Sequence, residues 1–386
     1  MSARGARRIR GPHPWVFRDD VADVGGARHG DLVRVRDAEG RALGFASYSQ
    51  VSKISLRRIS RDEEPPDAAF FATRAEAAVR WRREVVSEAT AFRVLYGESD
   101  GLPGLVADLY GEHLVVQILT AGAEVFLAPV LEVLRDRLPA LSVLARNDPA
   151  VRTLEGLPRE VAQLTGTTPE RIEVEENGVR TLVDPWHGQK TGAFLDHREN
   201  RAAAAGFLPR AGEREVLDVF CYHGSFALHA ARAGARVEAI DASEDALDRG
   251  RENARRNGVE EAITFTAGNA FDLLRQREAA GRRYALVFLD PPAFAKSRSD
   301  LAAAHRGYKE INLRAMRLLV PGGTLVTSSC SYHMAEADLL EVLAAAAADV
   351  GRAFRVMDRR TQSKDHPVLL GFPESQYLKG LALRAM

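Results

Sequence analysis

Three acids and one cysteine are the residues of this 386-residue chain best placed to do chemistry. Asp218, Asp241 and Asp290 stand at or near the ends of short apolar runs, EVLDVF (215–220), RVEAID (236–241) and YALVFLD (284–290). Cys330 follows another such run, GTLVTSS (323–329), and is one of only two cysteines. A carboxylate just past a buried strand can hold a ribose through its hydroxyls. A thiol in that place can act as a nucleophile once it loses its proton. Each residue also has a plainer role. Asp at a strand end often caps a helix or forms a turn, which would suit Asp241 followed by Ser243. A free Cys is more often a small buried hydrophobe, and Cys221, lying against the loop after the first run, fits that description. Cys330 instead lies beyond its apolar run, flanked by Ser329 and Ser331.

These residues need elements to position them. After residue 210 short β-rich runs alternate with helix-length segments, and several runs are apolar nearly throughout, as strands buried on both faces are. The pattern predicts a doubly wound, mostly parallel α/β sheet, with ligands outside the carboxyl ends of its strands. The first strand runs into CYHGSFALHAARAG (221–234), whose tight turn carries one glycine, Gly224. A dinucleotide fingerprint needs three glycines, so backbone approach to a pyrophosphate is not provided and NAD-dependent reduction is disfavoured. Asp218, Gly224, Asp241 and NAFD (269–272), taken in order, make a site for a nucleoside without phosphates, which points to S-adenosylmethionine. In LDPPAF (289–294) two prolines cannot continue a ladder; they stiffen the loop and hold Asp290 at the same edge as Cys330.

The earlier chain reads differently. DLVRVRDAEG (31–40), RALGFASYSQ (41–50) and SKISLRRIS (52–60) are small-β, and RDEEPPDAAF (61–70) resembles a linker. A helix is expected over 69–86, a hairpin over 104–119, a helix over 123–138 and a second hairpin over 171–184 turning at Asn177-Gly178. Expected domain limits are 1–68, 69–185 and 186–386. Basic and acidic residues balance at 53 each, so any nucleic-acid binding depends on local clustering. MSARGARRIR (1–10) is such a cluster, either a solvated tail or a phosphate-binding arm. No apolar run approaches the roughly 20 residues of a membrane span. Two distant cysteines make no disulfide framework, and Met, Cys and His are too scattered for a metal cluster, so a cytoplasmic protein without metal is expected. The sequence is compatible with a homodimer.

Cys330 narrows the reaction. Methyl transfer to oxygen or an amine needs no thiol. Carbon 5 of a pyrimidine is a poor nucleophile until something adds to carbon 6, and a thiolate can make that addition. Transfer to an exocyclic amine is the nearest rival, but such enzymes commonly place an aromatic directly after Asn/Asp-Pro-Pro, where Ala293 stands here. A non-catalytic RNA-binding assembly factor is a rival of another class.

Over essentially its whole length the chain resembles the 23S ribosomal-RNA cytosine-C5 methyltransferase family. The resemblance rests on HPWVF (13–17), ESDGLPGLVAD (98–108), GQKTGAFLDHRENR (188–201), DVFCYHGSF (218–226), DPPAF (290–294), SSCS (328–331) and HPVLLGFPESQYLKG (366–380). It implies an N-terminal PUA-like RNA-binding domain, a central α+β domain and a Rossmann-like class I methyltransferase domain. By the same resemblance S-adenosylmethionine contacts Asp218, Phe220, Tyr222, Gly224, Asp241 and Ser243, then Asn269, Ala270 and Phe271 at the adenine, and Asp290 near the methyl. The GQKTGAFLDHR segment is implied to be a cofactor lid, with Lys190, Phe194 and Arg198 as its contacts. Cys330 is the expected nucleophile, with Asp290 holding the edge of a cytosine extruded from its stack. Pro292 is followed by Ala293 and Phe294, so a second cysteine is lacking there and the base that removes the carbon-5 proton is not assigned.

Overall fold

The five apolar runs after residue 210 form strands in the computed structural model, which describes all residues except 211, 213 and 295–299. They are β1 (Glu215–Val219), β2 (Arg236–Asp241), β3 (Ile263–Ala267), β4 (Tyr284–Leu289) and β5 (Leu319–Ser329). Two later strands, β6 (Phe354–Arg360) and β7 (Lys379–Ala385), complete a seven-stranded sheet in the order β3-β2-β1-β4-β5-β7-β6. Strands β1 to β5 pair in parallel, and β7 is antiparallel to both its neighbours. The strand order reverses between β1 and β4, and their carboxyl ends therefore open the crevice where such sheets bind ligands.

Successive residues of one strand face opposite sides of a sheet. Accordingly Leu217, Val219, Val287 and Leu289 pack with helices Leu301–Arg317 and Glu336–Val350. Val216, Leu286 and Phe288 pack instead with helices Ser225–Arg232 and Glu244–Arg256. Both faces are thus covered, which is why these strands read as continuous apolar runs.

The sheet belongs to one of two compact units, made of Asn177–Leu182, His197–Ser363 and Gln376–Met386. The other comprises Met1–Glu176, Val183–Asp196 and Lys364–Ser375. Residues 1–68 and most of 69–185 lie in this other unit, as do 186–196 and 364–375. It contains a four-stranded antiparallel sheet of Trp15–Phe17, Ile54–Ser60, Ala42–Tyr48 and Leu32–Arg36. A five-stranded mixed sheet spans Ala91–Tyr96 to Glu160–Thr165, and helix Ala68–Val85 packs Phe71, Ala75 and Val79 into its core.

Two local expectations fail here. Residues Ala3–Arg10 are not a frayed tail but a helix, opened by Ser2, whose Oγ accepts the Gly5 N–H at 3.0 Å. Ala6 and Ile9 are buried, Arg4 pairs with Asp20 at 2.5 Å, and Arg10 pairs with Asp37 at 2.6 Å. The single helix over 123–138 is two, Ala121–Val125 and Leu127–Arg137. Pro129 has no N–H to offer the Val125 carbonyl, and the first helix ends there.

A buried ionic network stiffens this unit. Arg93 makes two 2.8 Å bonds to Asp108, which is fully buried and also accepts the Thr191 hydroxyl at 2.5 Å. Removing one partner of a buried pair costs about 3–5 kcal/mol, far more than the pair contributes over an apolar replacement. Asp108→Ala is therefore expected to lower the urea midpoint by that amount of stability with little change in slope. A loss below about 1 kcal/mol would show that the guanidinium finds compensation elsewhere.

Candidate functional site

The turn after β1 has an unusual backbone. Phe220, Tyr222 and Gly224 take positive φ of 64°, 52° and 80°. For Phe and Tyr this region is sparsely populated and costs on the order of 1–3 kcal/mol each, so surrounding bonds must hold it. They do: the Cys221 N–H donates to the Ile240 carbonyl at 3.0 Å, and the Tyr222 N–H to Asp241 Oδ2 at 2.8 Å. Gly224 has no room for a side chain, since a Cβ would sit 3.0 Å from the Phe265 ring.

Asp218 is buried and accepts the Ala227 N–H at 2.9 Å, pinning the first turn of helix Ser225–Arg232. Burial, with repulsion from Asp290 and Asp241, pushes its carboxyl up to about 8 against the pull of the Ala227 bond. Asp241 lies at the end of β2, where Oδ1 accepts the Ser243 N–H at 2.9 Å. A carboxylate offers about four lone-pair positions, so Asp241 keeps two for a ligand. Ser243 caps helix Glu244–Arg256, accepting the Ala246 N–H at 3.3 Å. Asn269 caps helix Ala270–Ala279, accepting the Phe271 and Asp272 N–H groups at 2.9 and 3.4 Å. Ala270 is buried in the core, and Phe271 is half-buried with its ring 6.2 Å from that of Phe294.

At the reacting end, the Asp290 N–H donates to the Val219 carbonyl at 3.4 Å, tying β4 to β1. Asp290 Oδ1 accepts the Ser328 hydroxyl, and Oδ2 lies 3.3 Å from Nε2 of the buried His197. Phe294 packs on Tyr308 at 4.7 Å between ring centroids. Cys330, just past β5, is half-buried between the fully buried Ser329 and Ser331. The Ser329 hydroxyl donates to Tyr308 Oη at 2.9 Å, and Ser331 Oγ lies 3.1 Å from the same phenol. Lys379 at the start of β7 is buried, and its Nζ donates to the Ser331 and Tyr377 carbonyls at 2.6 and 2.9 Å. Cys221 is buried with its Sγ 3.7 Å from the Tyr222 carbonyl, and burial raises its thiol well above the ordinary range.

The second unit thus gathers Asp218, Phe220, Tyr222, Gly224, Asp241, Ser243, Asn269, Ala270, Phe271, Asp290 and Cys330 at the carboxyl edge of one sheet. The GQKTGAFLDHR segment divides between the units. Arg198 is buried in the second, 3.4 Å from Glu199, whereas Lys190 and Phe194 belong to the first. There Lys190 Nζ pairs with Asp196 at 2.6 Å and lies 5.0 Å from the Phe194 ring centroid. Sequence reasoning overlooked His197, Ser328, Tyr308 and Lys379. Three of them lie inside the quoted motifs GQKTGAFLDHRENR, SSCS and HPVLLGFPESQYLKG, which is the signal that could have found them.

The donor set fits a nucleoside that carries positive charge. Acids at one edge, Asp241 and Asp290 above all, suit hydroxyls and a cationic sulfonium or ammonium, and they would repel a pyrophosphate. Among the described residues no group of three or more His, Cys, Asp or Glu could hold a metal ion, and no helix is long and apolar enough to cross a membrane.

Known proteins agree with this geometry. The S-adenosylmethionine-dependent methyltransferase family matches residues 146–367, and a PUA-like domain matches residues 1–61. Ribosomal RNA large subunit methyltransferase I of Shewanella amazonensis is 42% identical over 380 residues, 96% of this chain and 95% of that protein. The protein of the same name from Vibrio cholerae is 40% identical over 388 residues, 98% of this chain and 97% of its own length. Among solved structures, SMU.776 complexed with SAH shares the fold, with a TM-score of 0.85 and 19% identity over 99% of this chain and 98% of that one. The chain therefore belongs to the S-adenosylmethionine-dependent methyltransferase family, together with the ribosomal RNA large subunit methyltransferase I proteins.

Proposed function

We propose that this chain moves the methyl group of S-adenosylmethionine to carbon 5 of a cytosine in large-subunit (23S) ribosomal RNA, in the cytoplasm, with Cys330 as nucleophile. The observation that carries the reading is a half-buried thiol on the strand next to that of Asp290, at the carboxyl edge that bears the cofactor residues. The names of the relatives at about 40% identity support the RNA substrate. Bound S-adenosylmethionine supplies an electrophilic methyl on a sulfonium. Asp241 would hold its ribose, and Asn269 with Phe271 would border its adenine.

The thiolate of Cys330 adds to carbon 6 of the extruded cytosine, and the ring's electrons become available at carbon 5, which takes the methyl. Loss of the carbon-5 proton then restores the ring as the sulfur–carbon bond breaks. Asp290 would hold the edge of the base, oriented by Ser328 and His197. Residues 1–68 would grip the RNA, 69–185 would form the central domain, and 186–386 would do the chemistry. Transfer to an exocyclic amine leaves Cys330 without a task.

Four measurements test this. With RNA containing 5-fluorocytosine, the wild-type protein is expected to become trapped, and mass spectrometry should find the adduct on the peptide bearing Cys330. Cys330→Ala should keep SAH binding and lose turnover; near-normal methylation by this variant would sink the carbon-5 mechanism. Asp241→Ala should weaken SAH binding by roughly ten- to hundredfold, since a charge-assisted contact contributes about 1.5–3 kcal/mol. Unchanged calorimetric affinity would take Asp241 out of the site. On helix Ala3–Arg10 the arginines Arg4, Arg7 and Arg10 are exposed, and Arg4 and Arg10 pair with carboxylates. Arg7→Ser should make the log–log salt dependence of RNA binding shallower by about 0.7–0.9, and an identical slope would show that this helix does not touch phosphate.

A further inference from the structure

Lysine supplies six of the 53 basic residues, and arginine supplies all the others. One of those six, Lys379, is 7% exposed and sits opposite Ser329 in the antiparallel register of β5 and β7. Its Nζ donates to the carbonyl of Ser331, the residue after Cys330, and to that of Tyr377. Two neutral carbonyls satisfy two of the three N–H groups of an ammonium and offset none of its charge. Among the described residues no carboxylate lies within ion-pair distance of Nζ. Asp338, an acid that acts on it from farther off than ion-pair range, spends its Oδ2 on capping helix Glu336–Val350 through the Ala335 N–H at 2.8 Å.

A buried lysine without a carboxylate is displaced toward its neutral form. Burial pushes Lys379 down to about 8, and among the charges that oppose this shift Cys330 stands ahead of Asp338. An amine so tuned, with two N–H groups already committed, can accept a proton near neutral pH. Arginine could not, because its guanidinium does not deprotonate in proteins.

We propose that Lys379 is the positioning residue that activates Cys330, its neutral amine taking the thiol proton and the resulting ammonium staying paired with the thiolate. The S–H bond breaks, an N–H bond forms, and the net charge of the pair is unchanged. The proposal rests on the reading of Cys330 as nucleophile, and it supplies what that reading lacks. An ordinary thiol with a pKa of about 8.5 is only a few per cent ionised at pH 7. Among the described residues, two other titratable groups near this place are less suited to the task. Tyr308, from helix Leu301–Arg317, is held protonated by burial and is occupied with Ser329 and Ser331. His333, in the turn after Cys330, is exposed.

The test reads the thiol directly and needs no turnover. The full chain is alkylated with iodoacetamide between pH 6 and 10, and the rate at Cys330 is followed by mass spectrometry of its peptide, with the buried Cys221 as internal reference. In the wild-type protein the midpoint should fall at least about one pH unit below the ordinary thiol value of about 8.5. Lys379→Met, which keeps the chain length and loses the amine, should raise that midpoint and slow alkylation at pH 7 by about tenfold. Calorimetric SAH binding and the thermal midpoint report whether the variant is folded. A folded Lys379→Met with the wild-type profile overturns the proposal. Should the variant not fold, the wild-type profile decides alone, and a midpoint at or above about 8.5 overturns it. A low wild-type midpoint that rises in Lys379→Met, beside full methylation by Cys330→Ala, would keep the pair and remove the nucleophile reading.

Discussion

Carboxylates of like charge converge on one edge of the seven-stranded sheet, and the local structure there follows from the need to accommodate them. Asp218, Asp241 and Asp290 come from β1, β2 and the end of β4, three strands that are neighbours in the sheet. Each is held by donors: the Ala227 N–H, the Tyr222 and Ser243 N–H groups, and the Ser328 hydroxyl. To aim the Tyr222 N–H at Asp241, the turn after β1 accepts left-handed backbone at two aromatic residues, a strain that persists only where surrounding bonds over-determine it. With Asp218 pushed up to about 8, one of the three carries a proton at neutral pH, and the edge is less negative than its composition implies.

The opposite end of the crevice depends on a strand that runs the other way. β7 inserts antiparallel between β5 and β6, and its first residue therefore lies beside the last residue of β5. A parallel strand in that place would put its carboxyl end there. Reversal is what brings Lys379, from the end of the chain, to the residue after the fifth strand. The same reversal places the lysine in the ladder, opposite Ser329, the residue before the cysteine.

Much of this was legible from residue types. Strands β1 to β5 announce themselves because both their faces are covered, and the single glycine of the first turn separates a nucleoside from a dinucleotide. Strand β6, FRVMDRR, is polar at four of seven positions and only partly buried along its length, and no apolar run marks it. The first helix is hidden by its arginines, since Ala6 and Ile9 are too few to show a periodic face until Asp20 and Asp37 are seen taking the charges. Pro129 was visible, yet its consequence, a break at Phe126, depends on which turn it occupies. The partners of Asp290 were out of reach for another reason. His197 and Ser328 meet it from distant parts of the chain, and no periodicity encodes a pairing of that kind.

The buried lysine also bears on whether the site is used or merely retained. A protein that only bound RNA would gain by filling the Lys379 position with an apolar side chain, because an ammonium in low dielectric carries a desolvation cost that carbonyls alone do not repay. The same holds for the strained turn at Phe220 and Tyr222, which a binding module could relax without losing its grip on phosphate. Both costs fall at the carboxyl edge of one sheet, on either side of the switch point between β1 and β4. Strain and a buried amine gathered at one crevice, in a chain whose formal charges balance, are what a reaction requires and what a scaffold would shed.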